Sequence, residues 1–182
     1  AKLILWHGEP GTGKTSAIRS LVQAWGDWCS AQYIADPEEL FGDADYLTDV
    51  LTARRERNAQ PTLTQATTDK GQWRLVIAED SDEFLRSSAR REAGAALGRL
   101  LNVTDGLLGD RMNALVLLTT NEPIARLHPA LIRPGRCLAE VEFERFSPTE
   151  AAEWLGDVAV APARALTLAE LFERRGDIVT NT

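Results

Sequence analysis

Cysteine is scarce: only Cys29 and Cys137 occur in 182 residues. Two are too few for a disulfide framework in a chain of this length, so they read as core thiols rather than ligands, in a reducing compartment. Long apolar runs are missing as well. Stretches such as Ala114–Leu118 fall far short of the roughly 20 residues that span a bilayer. Ala1 to Trp6 lacks the basic start of a signal peptide. These absences give the expectation of a cytoplasmic protein with no membrane segment. An excess of basic charge is also absent, with 20 Lys and Arg against 27 Asp and Glu and a net charge of -7. That balance argues against a nucleic-acid sleeve or a membrane-surface patch as the main business. No internal repeat or low-complexity tract is present. At 44% hydrophobic and 26% charged residues the composition is that of an ordinary globular domain, which excludes disordered, collagen-like and disulfide-scaffold chains. At about 150 residues per domain the length predicts one core with a small appendage.

What is present is an alternation of apolar runs and helical spacings. Leu3-Ile4-Leu5-Trp6, ended by His7-Gly8, reads as a strand buried on both faces. Ile18, Leu21, Val22 and Trp25 recur at helical spacing and predict an amphipathic helix over Lys14–Trp25, stopped by Gly26. A weaker strand over Ala31–Ala35 precedes Asp36-Pro37-Glu38, where the aspartate caps a helix and the proline takes its first turn. Arg54 to Gln72 carries few large apolar groups and reads as a mobile connection, part of which can extend the preceding helix. Leu75–Ala78 is a second strongly apolar strand, ending in Glu79-Asp80. Ala93, Ala96, Leu97, Leu100 and Leu101 give helical spacing that Asn102 to Gly106 breaks. Ala114–Leu118 is a third buried strand, running into Thr119-Thr120-Asn121. A last strand is expected over Leu138–Phe143, and Pro148–Leu155 and Leu166–Phe172 read as helices of a separate small cap. The tryptophans at 6, 25, 28, 73 and 154 lie in or beside apolar segments and read as core rather than as a stacking platform for bases. The expected class is α/β, a three-layer αβα sheet of about five parallel strands, with ligands at the carboxyl ends of the strands.

Gly8-Glu9-Pro10-Gly11-Thr12-Gly13-Lys14-Thr15, followed by Ser16, matches G-x-x-x-x-G-K-[ST] in full, between a strand and a helix. Glycines let successive backbone N–H groups turn inward at a phosphate, and the helix adds its positive end. The pattern predicts nucleoside-triphosphate binding, with Lys14 on the β and γ oxygens and the Thr15 hydroxyl on Mg²⁺. No Asn-Lys-x-Asp loop for guanine is present, which favours ATP. Glu79 and Asp80 stand where such proteins turn a carboxylate toward the metal. Glu79 is expected at the Mg²⁺ and Asp80 as the base that orients or deprotonates the attacking water. Asp82 and Glu83 read as caps of the next helix.

With these residues the chain resembles the AAA family of ATPases. Three further segments carry the likeness: Leu100 to Gly106, Thr119-Thr120-Asn121, and Leu127-His128-Pro129-Ala130-Leu131-Ile132-Arg133-Pro134-Gly135-Arg136. The resemblance spans roughly Leu3 to Phe146. It implies a P-loop NTPase core over 1–146 and part of a C-terminal helical lid over 147–182. It implies that Asn121 is the sensor beside the catalytic water, an amide able to donate and accept. It further implies that Arg133 and Arg136 are arginine fingers acting on the neighbouring subunit of a homo-oligomeric ring such as a hexamer. The substrate such a ring remodels is a macromolecule, expected to be protein rather than nucleic acid. Arg174 and Arg175 are the candidates for a sensor arginine in the tail. By the same likeness the adenine-contacting N-terminal segment is lacking and the lid is incomplete, so the chain reads as an excised module.

The sequence also departs from the family. The common Asp-Glu order is Glu79-Asp80 here, His128 stands where Asp is usual, and Cys137-Leu138 replaces Phe-Asp. His128 reads as a turn residue although it can titrate, and His7 as packing. Phe41-Gly42 is all that remains of an aromatic pore loop, so Phe41 is either a pore residue or a buried helix aromatic. Two functions stand side by side: an ATPase that remodels a partner, and an ATP-dependent assembly switch with slow or no hydrolysis, motivated by the inverted pair. A small-molecule kinase would need lid arginines acting in cis, and Arg133-Pro134-Gly135-Arg136 speaks against it.

Overall fold

The computed structural model describes residues 1–52, 73–86, 91–105, 113–156 and 161–176. The expected connection from Arg54 to Gln72 lies outside the described residues, as does Gly106. Five strands form one parallel sheet: β1 Leu3–His7, β2 Cys29–Tyr33, β3 Trp73–Ala78, β4 Ala114–Thr120 and β5 Cys137–Glu142, in the order β2-β3-β4-β1-β5. β1 and β4 are buried along their whole length, which is why both read as unbroken apolar runs rather than alternating ones.

Alternate side chains of each strand feed two cores. Leu3, Leu5, Val76, Ala78, Val116 and Leu118 pack under the helices α2 Pro37–Gly42, α3 Ala44–Thr52, α4 Asp82–Leu85 and α5 Arg91–Asp105. Ile4, Trp6, Leu75, Ile77, Leu115 and Leu117 pack on the opposite face under Ile18 of α1 Lys14–Trp25. Helices on both faces make the three-layer αβα architecture that the sequence predicts. Truncating a fully buried Leu such as Leu100 to Ala in such a core costs about 2–5 kcal/mol.

Several boundaries differ from expectation. β2 starts at Cys29 because Cys29 already pairs with Trp73, while Ile34 still donates to Ile77 O at 2.9 Å. α5 runs through Asn102 to Asp105; the Thr104 hydroxyl bonds back to Leu100 O at 2.9 Å and Leu101 O at 3.2 Å, so the polar turn stays helical. Trp28 is 43% exposed, against the core reading, and its ring leans on Trp25 at 5.0 Å. The other four tryptophans are buried or half-buried. Phe41 is buried and stacks on Phe84 with centroids 3.8 Å apart. It is the buried helix aromatic, withdrawn from any pore.

The C-terminal helices α6 Pro148–Leu155 and α7 Leu168–Arg175 each open on a capping box, Ser147 with Glu150 and Thr167 with Glu170, satisfying two orphan donors at each start. Leu166 does not enter α7, because it bridges back to Phe146. The pair shares a small core of Ala151, Leu166 and Leu171. Yet α7 also touches the glycine loop: Ala169 N donates to Gly11 O at 3.0 Å.

Candidate functional site

β1 leaves the sheet at His7, and the chain turns through Gly8, Gly11 and Gly13 with φ of 139, 78 and 108°. At Gly8 a Cβ would lie 2.2 Å from Phe143 O, so only glycine lets β1 pass this close to the chain leaving β5. Thr12 folds its hydroxyl onto Glu9 O at 2.8 Å. α1 then starts at Lys14 with no side-chain cap, which leaves its first N–H groups facing the loop as a ready anion site.

Lys14 is buried although charged. Its Nζ donates to Gly8 O at 2.8 Å, Glu9 O at 3.1 Å and Asn121 Oδ1 at 2.9 Å. Burial lowers its pKa from the usual lysine range, against the opposing pull of Asp80, Asp82 and Glu79. Across from it, the Thr15 hydroxyl donates to Glu79 Oε2 at 2.6 Å. An alcohol and a carboxylate held together are oxygen donors of the kind a hard Mg²⁺ takes. Among the described residues no group of three or more His, Cys, Asp or Glu is gathered that can hold an ion alone. Mg²⁺ is commonly bound through one or two protein oxygens and the phosphates of its substrate. The donor set therefore fits the implied ion, with Thr15 and Glu79 as the residues that can hold it.

Asp80 has φ 52°, the one non-glycine residue with positive φ among those described, a conformation that costs about 1–2 kcal/mol. The turn is held by Asp80 N donating to Thr119 Oγ1 at 3.0 Å and Ser81 N to Thr119 O at 2.9 Å. It exposes the Asp80 carboxylate, whose Oδ1 accepts from Asn121 Nδ2 at 3.1 Å. Lys14, Asn121 and Asp80 thus form one chain of hydrogen bonds from the glycine loop to the acidic strand end.

These groups line a cavity of about 390 Å³. Of the residues singled out in the sequence, Pro10, Gly11, Gly13, Lys14, Thr15, Ser16, Glu79, Asp80 and Asn121 line it. Gly8, Glu9 and Thr12 belong to the loop behind it. Arg133 and Arg136 are not among its lining residues; they sit on the turn before β5, Arg133 exposed and Arg136 half-buried. Arg175 lies over the Trp154 ring at 5.0 Å and Arg174 is exposed; neither lines the cavity. His128 Nδ1 accepts from Ala130 N at 3.2 Å, the turn role expected of it. His7 is buried, with Nε2 3.4 Å from Glu140 Oε1 but neither ring nitrogen in a hydrogen bond. Burial raises the Cys29 thiol, which keeps it protonated and inert.

Two sets of residues escape the sequence reading. Leu168, Ala169 and Phe172 supply an apolar wall, and a tail helix with ordinary amphipathic spacing gives no sign of it. Asp82 is not a cap: its Oδ1 accepts from Thr120 Oγ1 at 2.5 Å and Asn121 N at 2.7 Å, and its Oδ2 from Asn121 Nδ2 at 3.3 Å. Burial alone would raise its carboxyl. The bonds from Thr120 and Asn121, with the Arg86 charge nearby, hold it below the usual carboxylate range. The position of Asp82 three residues past Glu79 is the one signal that could have found it.

A parallel sheet with β4 between β1 and β3, a glycine loop running into α1, and carboxylates at the end of β3 define a P-loop NTPase fold. Residues 4–145 match the profile of the ATPase family associated with various cellular activities (AAA), and the chain belongs to that family. It is 26% identical over 154 residues to the probable mitochondrial chaperone bcs1 of Schizosaccharomyces pombe, covering 82% of this chain and 30% of that protein. It is 29% identical over 163 residues to the 26S proteasome regulatory subunit 4 homolog of the same yeast, covering 84% of this chain and 32% of that one. With the ATPase histone chaperone YTA7 of Saccharomyces cerevisiae it shares 32% identity over 143 residues, covering 77% of this chain and 10% of that one. The chain therefore spans about a third or less of these relatives. Among solved structures it superposes on a chain of the E. coli MS115-1 HORMA:CdnC:Trip13 complex with TM-score 0.58 at 18% identity, covering 85% of this chain and 52% of that one. That likeness supports the fold alone. No helix among the described residues is long and apolar enough to cross a membrane.

Proposed function

We propose that this chain is an ATP-binding, Mg²⁺-dependent ATPase module that couples hydrolysis to remodelling of a protein partner. The observation that carries the reading is the hydrogen-bonded chain Lys14–Asn121–Asp80 facing the Thr15–Glu79 pair across one cavity. On this reading Lys14 leaves its loop carbonyls and Asn121 for the β and γ oxygens of ATP. The glycine loop and the start of α1, with Ser16, hold the phosphates. Thr15 and Glu79 would hold Mg²⁺, which would supply neutralisation of the phosphate charge. Asp80 accepts a proton from water while the water oxygen bonds to the γ-phosphorus and the bond to the ADP oxygen breaks. Asn121 donates to or accepts from that water, since an amide carries both a donor and an acceptor.

Arg133 and Arg136 lie off this cavity, which suits arginines that act on the site of a neighbouring copy in a closed ring such as a hexamer. Residues 1–146 are the ATPase core and 147–182 a partial lid whose α7 closes the apolar side. The shortage of cysteine suits the cytoplasm. Lys14→Ala is expected to abolish ATP binding, and Asp80→Asn to keep binding and stop phosphate release. Normal phosphate release from Asp80→Asn would sink the assignment of the base.

A second reading, an ATP-dependent assembly switch with slow or no hydrolysis, is favoured by the inverted Glu79-Asp80 pair and the left-handed backbone at Asp80. Phosphate release measured beside ATP-dependent oligomerisation separates the two: assembly without release selects the switch.

A further inference from the structure

The junction of β3 and β4 holds a carboxylate that the proposed reaction does not consume. Asp82 opens α4, yet the hydrogen bonds its side chain accepts come from the end of β4, from the Thr120 hydroxyl, the Asn121 backbone N–H and the Asn121 side-chain amide. Asn121 is thereby gripped twice by one residue. The next residue is fastened to the opposite end of α4, since Arg86, just past Leu85, donates Nε to Glu122 Oε1 at 2.9 Å and brings Nη2 within 2.8 Å of the same oxygen.

An asparagine amide turned over by half a rotation keeps its shape but exchanges donor for acceptor. As it stands, Asn121 Oδ1 faces the Lys14 ammonium at 2.9 Å, and Nδ2 faces Asp80 at 3.1 Å and Asp82 at 3.3 Å. Turned over, its NH₂ would meet a cation and its oxygen two carboxylates, so ionised partners on both sides select one orientation. Of these partners Asp82 is the one that also accepts from the Asn121 backbone N–H, at 2.7 Å, and so holds both the main chain and the side chain of that residue. We propose that Asp82 is a positioning residue for hydrolysis, fixing the height of Asn121 through its backbone N–H and its orientation through Nδ2. The inference rests on the ATPase reading and names the residue that keeps its sensor in register.

The test is a double-variant cycle in the full chain, reading phosphate release at saturating ATP and the KM for ATP. Asp82→Asn keeps the volume but presents an NH₂ to donors. It is expected to lower kcat by roughly ten- to a hundredfold while KM stays within about threefold. Asn121→Ala lowers kcat comparably, and Asp82→Asn adds no further loss on top of it, because its effect passes through that side chain. Asp82→Glu, which retains an acceptor-only group, recovers part of the lost rate. An unchanged kcat in Asp82→Asn overturns the proposal, as does a double variant whose loss is the product of the two single losses. If Asp82→Asn does not fold, the same cycle is run with Asp82→Glu, where additivity again overturns it. A wild-type chain that binds ATP but releases no phosphate refutes the ATPase reading instead. The side-chain amide resonances of Asn121 then decide: a shift in Asp82→Asn supports the grip, and an unchanged pair of signals overturns it.

Discussion

Two regions bound the same cavity by different means. On one side the ends of β3 and β4 are stitched by short bonds among buried or half-buried groups: Asp80 N to Thr119, Asp82 to Thr120 and Asn121, Lys14 to Asn121. On the other, α7 leans on the glycine loop through one backbone bond, the contact of Leu168 with Gly13, and an exposed ionic bridge. In that bridge Arg145 Nη2 lies 2.7 Å from Glu9 Oε2 and Nη1 3.2 Å from Glu170 Oε2, while Arg164 Nη2 lies 2.6 Å from Glu170 Oε1. Charge-assisted bonds shielded from water are strong and insensitive to salt; exposed ion pairs are weak and screened. The floor is thus held by bonds withdrawn from water and the wall by bonds exposed to it.

Gly13→Ala should break the comparison most severely, because it strikes where floor and wall meet. The new Cβ would lie 2.7 Å from Leu168 Cδ2 at a φ of 108°, forcing α7 away or the loop out of shape. A loss of roughly a hundredfold in ATP affinity, about 3 kcal/mol, is expected by isothermal titration; unchanged affinity would show that α7 does not rest on the loop. Thr119→Val is a floor change of equal volume that orphans the Asp80 amide. It should lower stability by about 1–3 kcal/mol in urea unfolding, and the loss should persist at high salt.

Arg145→Gln touches only the wall. The KM for ATP is expected to rise about two- to threefold at low ionic strength, and the difference should vanish at about 0.5 M NaCl. A salt-independent effect would place Arg145 with the floor. The smallest effect is on acid stability. The bond from Arg164, then that from Thr167 N, hold the Glu170 carboxyl down to about 2. A folded-state value below the ordinary one means that its contribution is complete above the usual glutamate range and fades as pH falls toward 2. Trp154, packed edge-on against Phe172 at 5.1 Å, reports on α7 by fluorescence. Urea unfolding followed by that signal should need progressively less denaturant as pH falls from about 4 toward 2, and no loss in that window would show that Glu170 adds nothing to acid stability.

Legibility in the sequence followed the same division. β1, α1, β4 and α6 could be read because each is specified by its own residues, through an unbroken apolar run or a helical period that a buried face requires. Lys14, Thr15, Glu79 and Asp80 could be singled out from loop chemistry and a strand end, and Asn121 through the family resemblance, before any contact is known; the structure gathers all five around one cavity. Asp82 was not legible, since an acid just before a helix has a sufficient local explanation as a cap and its partners Thr120 and Asn121 come from another strand. The wall was illegible for a related reason. Nothing in Leu168, Ala169 and Phe172 distinguishes a helix that covers its own small core from one that also covers a glycine loop. Trp28 was misread because an apolar neighbourhood does not say which side of an edge strand is roofed.

The bond between Ala169 N and Gly11 O joins the beginning of the described chain to its far end. Contacts between residues so distant along a chain form late, since the entropy of closing the intervening loop is lost before the contact returns anything. During synthesis the glycine loop, β1 and α1 emerge before the segment that completes their cavity. The cavity therefore gains its apolar side only after α7 has left the ribosome, and a nascent chain short of that helix presents the phosphate loop with one flank open.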